Sequence, residues 1–557
     1  MVVPELRPWR AARPHVVRIT DAVRPRLARA AGIVRPSLTR AVAAAKPQVA
    51  RLTRAAGPQL ARITKAVPHA GPWRYTAGAA TAGLALAAGV VTAAGPWDTT
   101  GQRTAERDRA VALEHAGGAD HGRTDDSSGT STAAAGAPQP APSAASVLTG
   151  LSGAAATVKS APDALPTTAG LKAVLDRLLA DPALGARRTA AVVDVATGKR
   201  LYGSGADTSL TPASTTKIAT AVAALSAMGP DHRLTTRAAL EPDTRELVLV
   251  GGGDPTLTAR KDDGGDGGGW ASLRTLAAAT ARTLKTRGVT EVTLSYDTTL
   301  FTGSRIHPIG VNTNLAPVTA LSADEGRVDD TVSGPATRVS DPAADATRKF
   351  AAYLNADGIK TSAPGPSKAT TRAQTLATVS SPPLSTLIER MLTNSDNDIA
   401  EALARQTAVA TGVRADFAGG GKAVLAQLRK LGLPVTGAVF KDGSGLDRAD
   451  RLTANLLTAL LAKAGDPDLP ALRPVLTGLP VAGFTGTLST RYADGAAGVV
   501  RAKTGTLTGV NTLAGTVVDQ DGRLLAFALL ASDTTDPTAA QTALDKTATA
   551  LAGCGCR

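Results

Sequence analysis

The chain is short of the residues from which many nucleophile and metal sites are built. Its two cysteines, Cys554 and Cys556, lie in a C-terminal Gly-Cys-Gly-Cys-Arg. With one residue between them they could pair only with strain, and residues 553–557 read as a dispensable tail. Of six histidines, only His232 and His307 fall in the stretch that reads as folded. That leaves no evident Ser-His-Asp triad and no zinc cluster, so neither a metal nor a cofactor is expected. The Gly/Asp run at 262–269 is followed by no Lys-Ser/Thr, which excludes a phosphate-binding loop. It reads as a flexible loop.

Net charge is the next thing most of the chain lacks. The formal charge is +14, but residues 1–75 hold 15 Lys and Arg against Glu5 and Asp21, and the remainder carries 46 basic against 45 acidic side chains. The folded part gives no electrostatic reason to expect nucleic acid.

The basic tail, residues 1–74, repeats. Pro14, Pro25, Pro36, Pro47 and Pro58 are eleven residues apart, and Arg18, Arg29, Arg40, Arg51 and Arg62 each follow by four. Eleven residues is close to three helical turns, so each unit would show the same face. Short basic amphipathic helices of this kind suit anionic membrane lipid. A disordered Ala/Arg/Pro tail fits the same composition, and DNA binding fits it less well. Tyr75–Gly95 then runs 21 residues without a charge, the length of one bilayer crossing. The positive-inside rule puts the tail in the cytoplasm and the rest outside, as a single-pass membrane protein. Secretion after signal cleavage near Thr92-Ala93-Ala94 is the alternative. Residues 96–165, rich in Ala, Pro, Ser and Gly, read as a disordered linker.

The folded part begins near Thr167. A helix through Leu171–Leu179, a strand at Thr189–Asp194 and its hairpin partner at Arg200–Gly203 precede Pro212-Ala213-Ser214-Thr215-Thr216-Lys217. Ser214 and Lys217 are spaced to share one helix face. A serine is inert until a neighbour takes its proton, and a lysine can do so if burial lowers its pKa. Strand character follows, at Glu246–Val250 and Val289–Tyr296, with a helix at 346–358. A helix at Pro383–Thr393 then delivers Ser395-Asp396-Asn397, and the apparent strand Gly498–Ala502 delivers Lys503-Thr504-Gly505-Thr506. Gly505 would let a ligand backbone lie along a sheet edge, beside a lysine and hydroxyls able to bind a carboxylate.

S-x-x-K, S-D-N and K-T-G, in this order, are the motifs of serine β-lactamases and penicillin-binding proteins. The chain resembles the low-molecular-weight penicillin-binding proteins with inserted domains, D-alanyl-D-alanine carboxypeptidases and endopeptidases, over about Thr167 to Ala552. Ser214 and Ser395 are 181 residues apart and Ser395 and Lys503 are 108, so the excess length lies where that family carries its insertion. Val250–Leu257, Leu479–Gly483 and Asp442-Gly443-Ser444-Gly445-Leu446 also look familial.

The resemblance implies an α/β fold: a β-lactamase-like catalytic domain, a sheet flanked by helices, from 166–230 and 386–552. Inserted β-rich subdomains are expected at 231–385. It further implies that Ser214 forms an acyl-enzyme with Lys217 as base and that Ser395 relays the proton. Asn397, Lys503, Thr504 and Thr506 would bind substrate, with Ser214 and Thr506 N–H groups as the oxyanion hole and Asp396 structural. Substrates would be peptidoglycan stem peptides, and β-lactams would act as inhibitors. A β-lactamase or esterase, or a non-catalytic penicillin-binding sensor, would use the same motifs.

Overall fold

The computed structural model describes residues 166–260, 269–362, 365–492 and 495–556. Helix α1 (Thr168–Leu179) comes first, then β1 (Arg187–Asp194), β2 (Arg200–Ser204) and β3 (Ser209–Leu210). A single 3₁₀ turn, Ala213–Thr215, runs into α2 (Thr216–Met228). Next come β4 (Thr235–Leu240), β5 (Glu246–Val250), α3 (Leu273–Thr286) and β6 (Glu291–Asp297). They are followed by α4 (Pro342–Ala356), β7 (Lys360–Thr361), β8 (Gly365–Pro366) and β9 (Gln374–Ser380). Helices α5 (Leu384–Asn394), α6 (Asn397–Ala410) and α7 (Phe417–Lys430) precede β10 (Leu452–Thr453), α8 (Ala454–Gly465) and the short α9 (Pro474–Thr477). Then come β11 (Arg501–Leu507), β12 (Val510–Val518), β13 (Leu524–Ser532) and α10 (Pro537–Ala552).

The site rests on a five-stranded sheet of order β11-β12-β13-β1-β2, antiparallel throughout. Its central strand, β13, is buried at every position but the first. Both faces are covered, so the strand reads as one apolar run, yet the pleat still sorts it by alternation. Leu525, Phe527, Leu529 and Ala531 face the layer of α1 and α10. Ala526, Ala528 and Leu530 face the layer built around α2. Small side chains prevail on that second side because α2 must come close. Ten consecutive α2 residues, Thr216–Leu225, are buried, and a helix surrounded on all sides needs little bulk of its own. Helices α5, α6, α7 and α8 complete its cage.

The expected dispensable tail is part of this body as far as Cys556. Thr167 caps α1 by accepting Gly170 N–H through its hydroxyl at 3.0 Å, while its own N–H donates to Cys556 O at 2.7 Å. Cys554 is 3 % exposed and sits in the core beside α1 and α10; it is bonded to Cys556. Burial of Cys554 and the backbone bond tie the chain's end to the start of the folded part.

Residues 231–385 carry a second sheet, β7-β6-β5-β4-β9 with β8 also on β6. Leu247, Leu249, Leu294, Leu276, Leu284, Phe350 and Leu354 form its own core under α3 and α4. The segment is therefore mixed rather than simply β-rich. Helix α3 was not legible because its stripe of Leu273, Leu276, Ala277, Ala281 and Leu284 is diluted by alanine and threonine on its other face. The segment is also not wholly separate. Its middle, 298–341, is fastened to α6: Arg405 donates to Thr302 O at 3.1 Å and Ser304 O at 2.9 Å, and Ala316 N–H donates to Asp398 Oδ1 at 2.9 Å.

The basic repeats, the uncharged stretch Tyr75–Gly95 and the linker lie outside the described residues. Among the described residues, no helix is long and apolar enough to cross a membrane.

Candidate active site

The turn that presents Ser214 is held under strain. Ala213 has φ +47°, a left-handed conformation that costs a non-glycine residue on the order of 1 kcal/mol or more. Packing on two sides keeps it there. Pro212 O accepts the hydroxyls of Thr215 at 2.7 Å and Thr512 at 2.8 Å, which pins the turn to β12. On β11, a Cβ at Gly505 would lie 2.2 Å from Thr512 Oγ1 and 2.8 Å from Pro212 O. On the other side, Gly445 has φ +81°, and a Cβ there would meet Ala213 O at 1.9 Å. Only glycine permits both approaches.

Lys217 is fully buried at the first turn of α2. Its Nζ lies 3.0 Å from Ser214 Oγ, 2.7 Å from Asn397 Oδ1 and 2.8 Å from Ser444 O. The last two are pure acceptors and take two N–H bonds. In the neutral amine this leaves the lone pair for the serine hydroxyl. Burial pushes the amine down to about 8, against the opposing pull of Asp442, Glu401, Asp396 and Asp450. The nitrogen's bonded partners are a hydroxyl and two carbonyl oxygens rather than a carboxylate, so loss of hydration outweighs those charges.

The S-D-N segment splits three ways. Ser395, at φ +59°, ends α5 in the left-handed region. Asp396 caps α6 by accepting Ile399 N–H at 3.0 Å. Asn397 opens α6, with its Oδ1 on Lys217 and its Nδ2 donating to Asn314 O at 2.9 Å. A helix cap and the amide that bonds Lys217 thus occupy adjacent residues.

Ser214, Ser395, Asn397 and Thr506 line one cavity of about 270 Å³, with Asn314, Arg327, Ser333 and Arg338 forming its far wall. Lys503 and Thr504 stand on the same strand as Thr506. Lys503 is fully buried, and its Nζ donates to Thr504 O at 2.8 Å. Burial, with Lys217 and Arg491 nearby, holds it well below the ordinary lysine range. Thr504 Oγ1 bonds Thr487 Oγ1 at 2.9 Å. The strand itself starts at Arg501, not Gly498: Val499 and Val500 N–H both turn back to Ala496 O. K-T-G-T is therefore the edge strand of the sheet.

Sequence reasoning gave no role to several residues that shape this site. Asn314 and Arg338 come from the stretch read as insertion. Asp442-Gly443-Ser444-Gly445-Leu446 was seen only as a familiar stretch, yet its Ser444 carbonyl holds Lys217. Beneath it lie Glu401 and Asp442, both buried. Glu401 accepts Gly443 N–H and Ser444 N–H at 3.1 and 2.9 Å, and its spacing from Asn397, four residues, was a signal that could have found it. Burial and Asp442 push Glu401 up to about 7. Asp442 stays below the usual carboxylate range: burial opposes this, but His307 and the N–H groups of Gly445 and Asp447 outweigh it. His307 Nε2 is 2.9 Å from Asp442 Oδ2. That pair belongs to the loop: Asp442 also accepts Gly445 and Asp447 N–H.

A buried lysine facing a serine on a strained turn, a helix-start asparagine and an edge strand form one constellation, and comparison with known proteins gives the same family. The profile of the D-Ala-D-Ala carboxypeptidase 3 (S13) family matches residues 171–336 and 329–551. A carboxypeptidase of Mycobacterium tuberculosis is 37% identical over 432 residues, covering 75% of this chain and 90% of that protein. Carboxypeptidase DacB of Mycolicibacterium smegmatis is 38% identical over 403 residues, covering 70% and 85%. In fold, penicillin-binding protein 4 of Haemophilus influenzae superposes with a TM-score of 0.56 at 21% identity, over 70% of this chain and 98% of that one. With matched residues reaching from α1 to α10 and the serine, lysine and strand motifs inside them, the chain belongs to the D-Ala-D-Ala carboxypeptidase 3 (S13) family of serine-type D-Ala-D-Ala carboxypeptidases.

Proposed function

We propose that Ser214 attacks the penultimate D-Ala carbonyl of a peptidoglycan stem peptide and releases the terminal D-Ala from an acyl-enzyme, which water then hydrolyses. One observation carries this: Lys217 Nζ faces Ser214 Oγ at 3.0 Å while two carbonyl oxygens occupy its other hydrogens. The amine takes the serine proton as the C–O bond forms. Ser395, on the cavity wall, relays that proton from the Lys217 ammonium to the leaving amine, giving up its own hydroxyl proton and taking the lysine's. Asn397 holds the acyl-side amide. Backbone N–H groups of Ser214 and Thr506 hold the oxyanion, a contribution worth about a hundredfold or more in rate. Lys503 and Thr504 orient the terminal carboxylate. A β-lactam enters by the same attack and leaves slowly. Cross-link cleavage, as a D,D-endopeptidase, uses the same chemistry on a longer leaving group, and the 231–385 segment beside the cleft sets which wall fragments reach Ser214. The catalytic body works outside the membrane, with Tyr75–Gly95 as its anchor and the basic tail at the cytoplasmic leaflet.

Intact-mass spectrometry of the protein with benzylpenicillin, then with a D-Ala-D-Ala peptide, tests the reading. One adduct on Ser214 and stoichiometric release of D-Ala are expected, and both vanish in Ser214→Ala. Retention of either by the variant at wild-type rate sinks the assignment. Rapid penicillin turnover without D-Ala release would instead make it a β-lactamase. Acylation with no peptide turnover would make it a sensor.

A further inference from the structure

Two of the three groups around Lys217 Nζ have an identifiable holder. Asn397 Oδ1 is fixed by the helix start and by its bond to Asn314 O. Ser444 O belongs to a loop that is wrapped around two buried carboxylates. Glu401 accepts Gly443 N–H and Ser444 N–H. Asp442 accepts Ser444 N–H at 3.1 Å, Gly445 N–H at 2.6 Å and Asp447 N–H at 2.7 Å. With the N–H groups of Gly443, Ser444 and Gly445 turned inward onto Glu401 and Asp442, the loop presents the Ser444 carbonyl to the lysine. Thr220 steadies the same loop from α2, donating to Gly443 O at 2.6 Å.

We propose that Glu401 is a positioning residue for the catalytic base: one helical turn beyond Asn397 on α6, its carboxylate grips the successive N–H groups of Gly443 and Ser444, so that α6 fixes Lys217 from two sides. One side is direct, through Asn397 Oδ1, and the other passes through Ser444 O. The inference rests on Lys217 being the base and adds what aims it.

Glu401 also supplies charge. The groups facing Lys217 are Asp396 and Glu401 from α6, Asp442 and Asp450 from the loop after α7, and Lys503 from β11. His307 faces Glu401 and Asp442 from the 298–341 stretch. Its Nδ1 accepts Ile309 N–H at 3.2 Å, so the hydrogen-bond pattern assigns the proton to Nε2, which donates to Asp442. Burial and Asp442 push Asp450 up to about 10. Ionised Glu401 favours the ammonium form of Lys217 and protonated Glu401 favours the free amine. Holding the loop and setting the charge are therefore separable by substitution.

The test uses the full chain and the second-order rate of acylation by benzylpenicillin between pH 5.5 and 9.5. Glu401→Gln keeps an oxygen acceptor and removes the charge. Its acid limb should move to lower pH by about one unit. Glu401→Ala removes the grip, and acylation should fall on the order of a hundredfold across the range, with Gln restoring most of that loss. A Gln variant whose limb coincides with wild type, or an Ala variant that acylates at the wild-type rate, overturns the proposal. If Ala does not fold, the limb of the Gln variant decides alone. Equal loss in both variants with an unmoved limb would mean a merely structural carboxylate and also overturns it. Should wild-type protein fail to acylate at Ser214, the functional reading falls. Should wild type acylate with Lys217 dependence while the Glu401 variants match it, only this inference falls.

Discussion

At the scale of the residue, the proposed mechanism depends on one proton on Lys217. An exposed lysine titrates near 10.5 and would be almost wholly charged at pH 7. Burial brings Lys217 to about 8, so a usable fraction carries a free lone pair. The base form is the deprotonated one, so acylation should rise with pH through about 8 and fall close to tenfold for each unit below. A limb above pH 10, or a flat profile, would argue against this amine as the base. Lys217→Ala should lose most acylation at every pH, because an unassisted serine is nearly inert. Ser214 and Lys217 were legible from spacing, since three residues along a helix fix a shared face whatever the rest of the fold does. Asn314 was not: it reaches Asn397 across 83 positions of sequence, and no periodicity connects them.

At the scale of the element, the decisive contact is between the strand β11 and the turn before α2. Strands bounded by turn residues were readable, and Glu246–Val250 falls where the apolar run places it. β11 was misplaced because Gly498, Val499 and Val500 look like a strand but form a turn. Val500 is fully buried, so its apolar character reports core packing and not pairing. The same closeness makes a prediction. Gly505→Ala would force its methyl to within 2.2 Å of Thr512 Oγ1 and 2.8 Å of a backbone oxygen. The cost to stability should be about 1–3 kcal/mol, typical of overpacking. The cost to acylation should be larger, on the order of a hundredfold, since the serine turn must shift. Gly365→Ala is the matched control: nothing lies within 4 Å of that position. Thermal unfolding and the acylation rate of the two variants check this, and a Gly505→Ala protein that acylates normally would show that β11 can retreat without moving Ser214.

At the scale of the whole molecule, charge is divided as sharply as the architecture. Fifteen of the basic side chains fall in the first 75 residues, and the remainder is nearly neutral. The proposed chemistry draws on none of them, since the site's own lysines, Lys217 and Lys503, are buried in the folded part. A function for the tail must therefore come from the tail's own pattern. Each eleven-residue unit sets an arginine beside Val or Leu and a second apolar or alanine position, so charge and burial would act together at an anionic surface. Each basic residue near such a surface is worth on the order of 1 kcal/mol, fading within a Debye length. If only a third of them engage, binding is already tight. A peptide of residues 10–70 should bind vesicles containing anionic lipid, release as salt rises and ignore neutral vesicles. Replacing Arg18, Arg29, Arg40, Arg51 and Arg62 together with Gln should weaken it far more than replacing five scattered polar residues. Absence of binding to anionic vesicles at low salt would remove the lipid role and leave a disordered tail, or a protein or DNA partner, as the better account of the repeats.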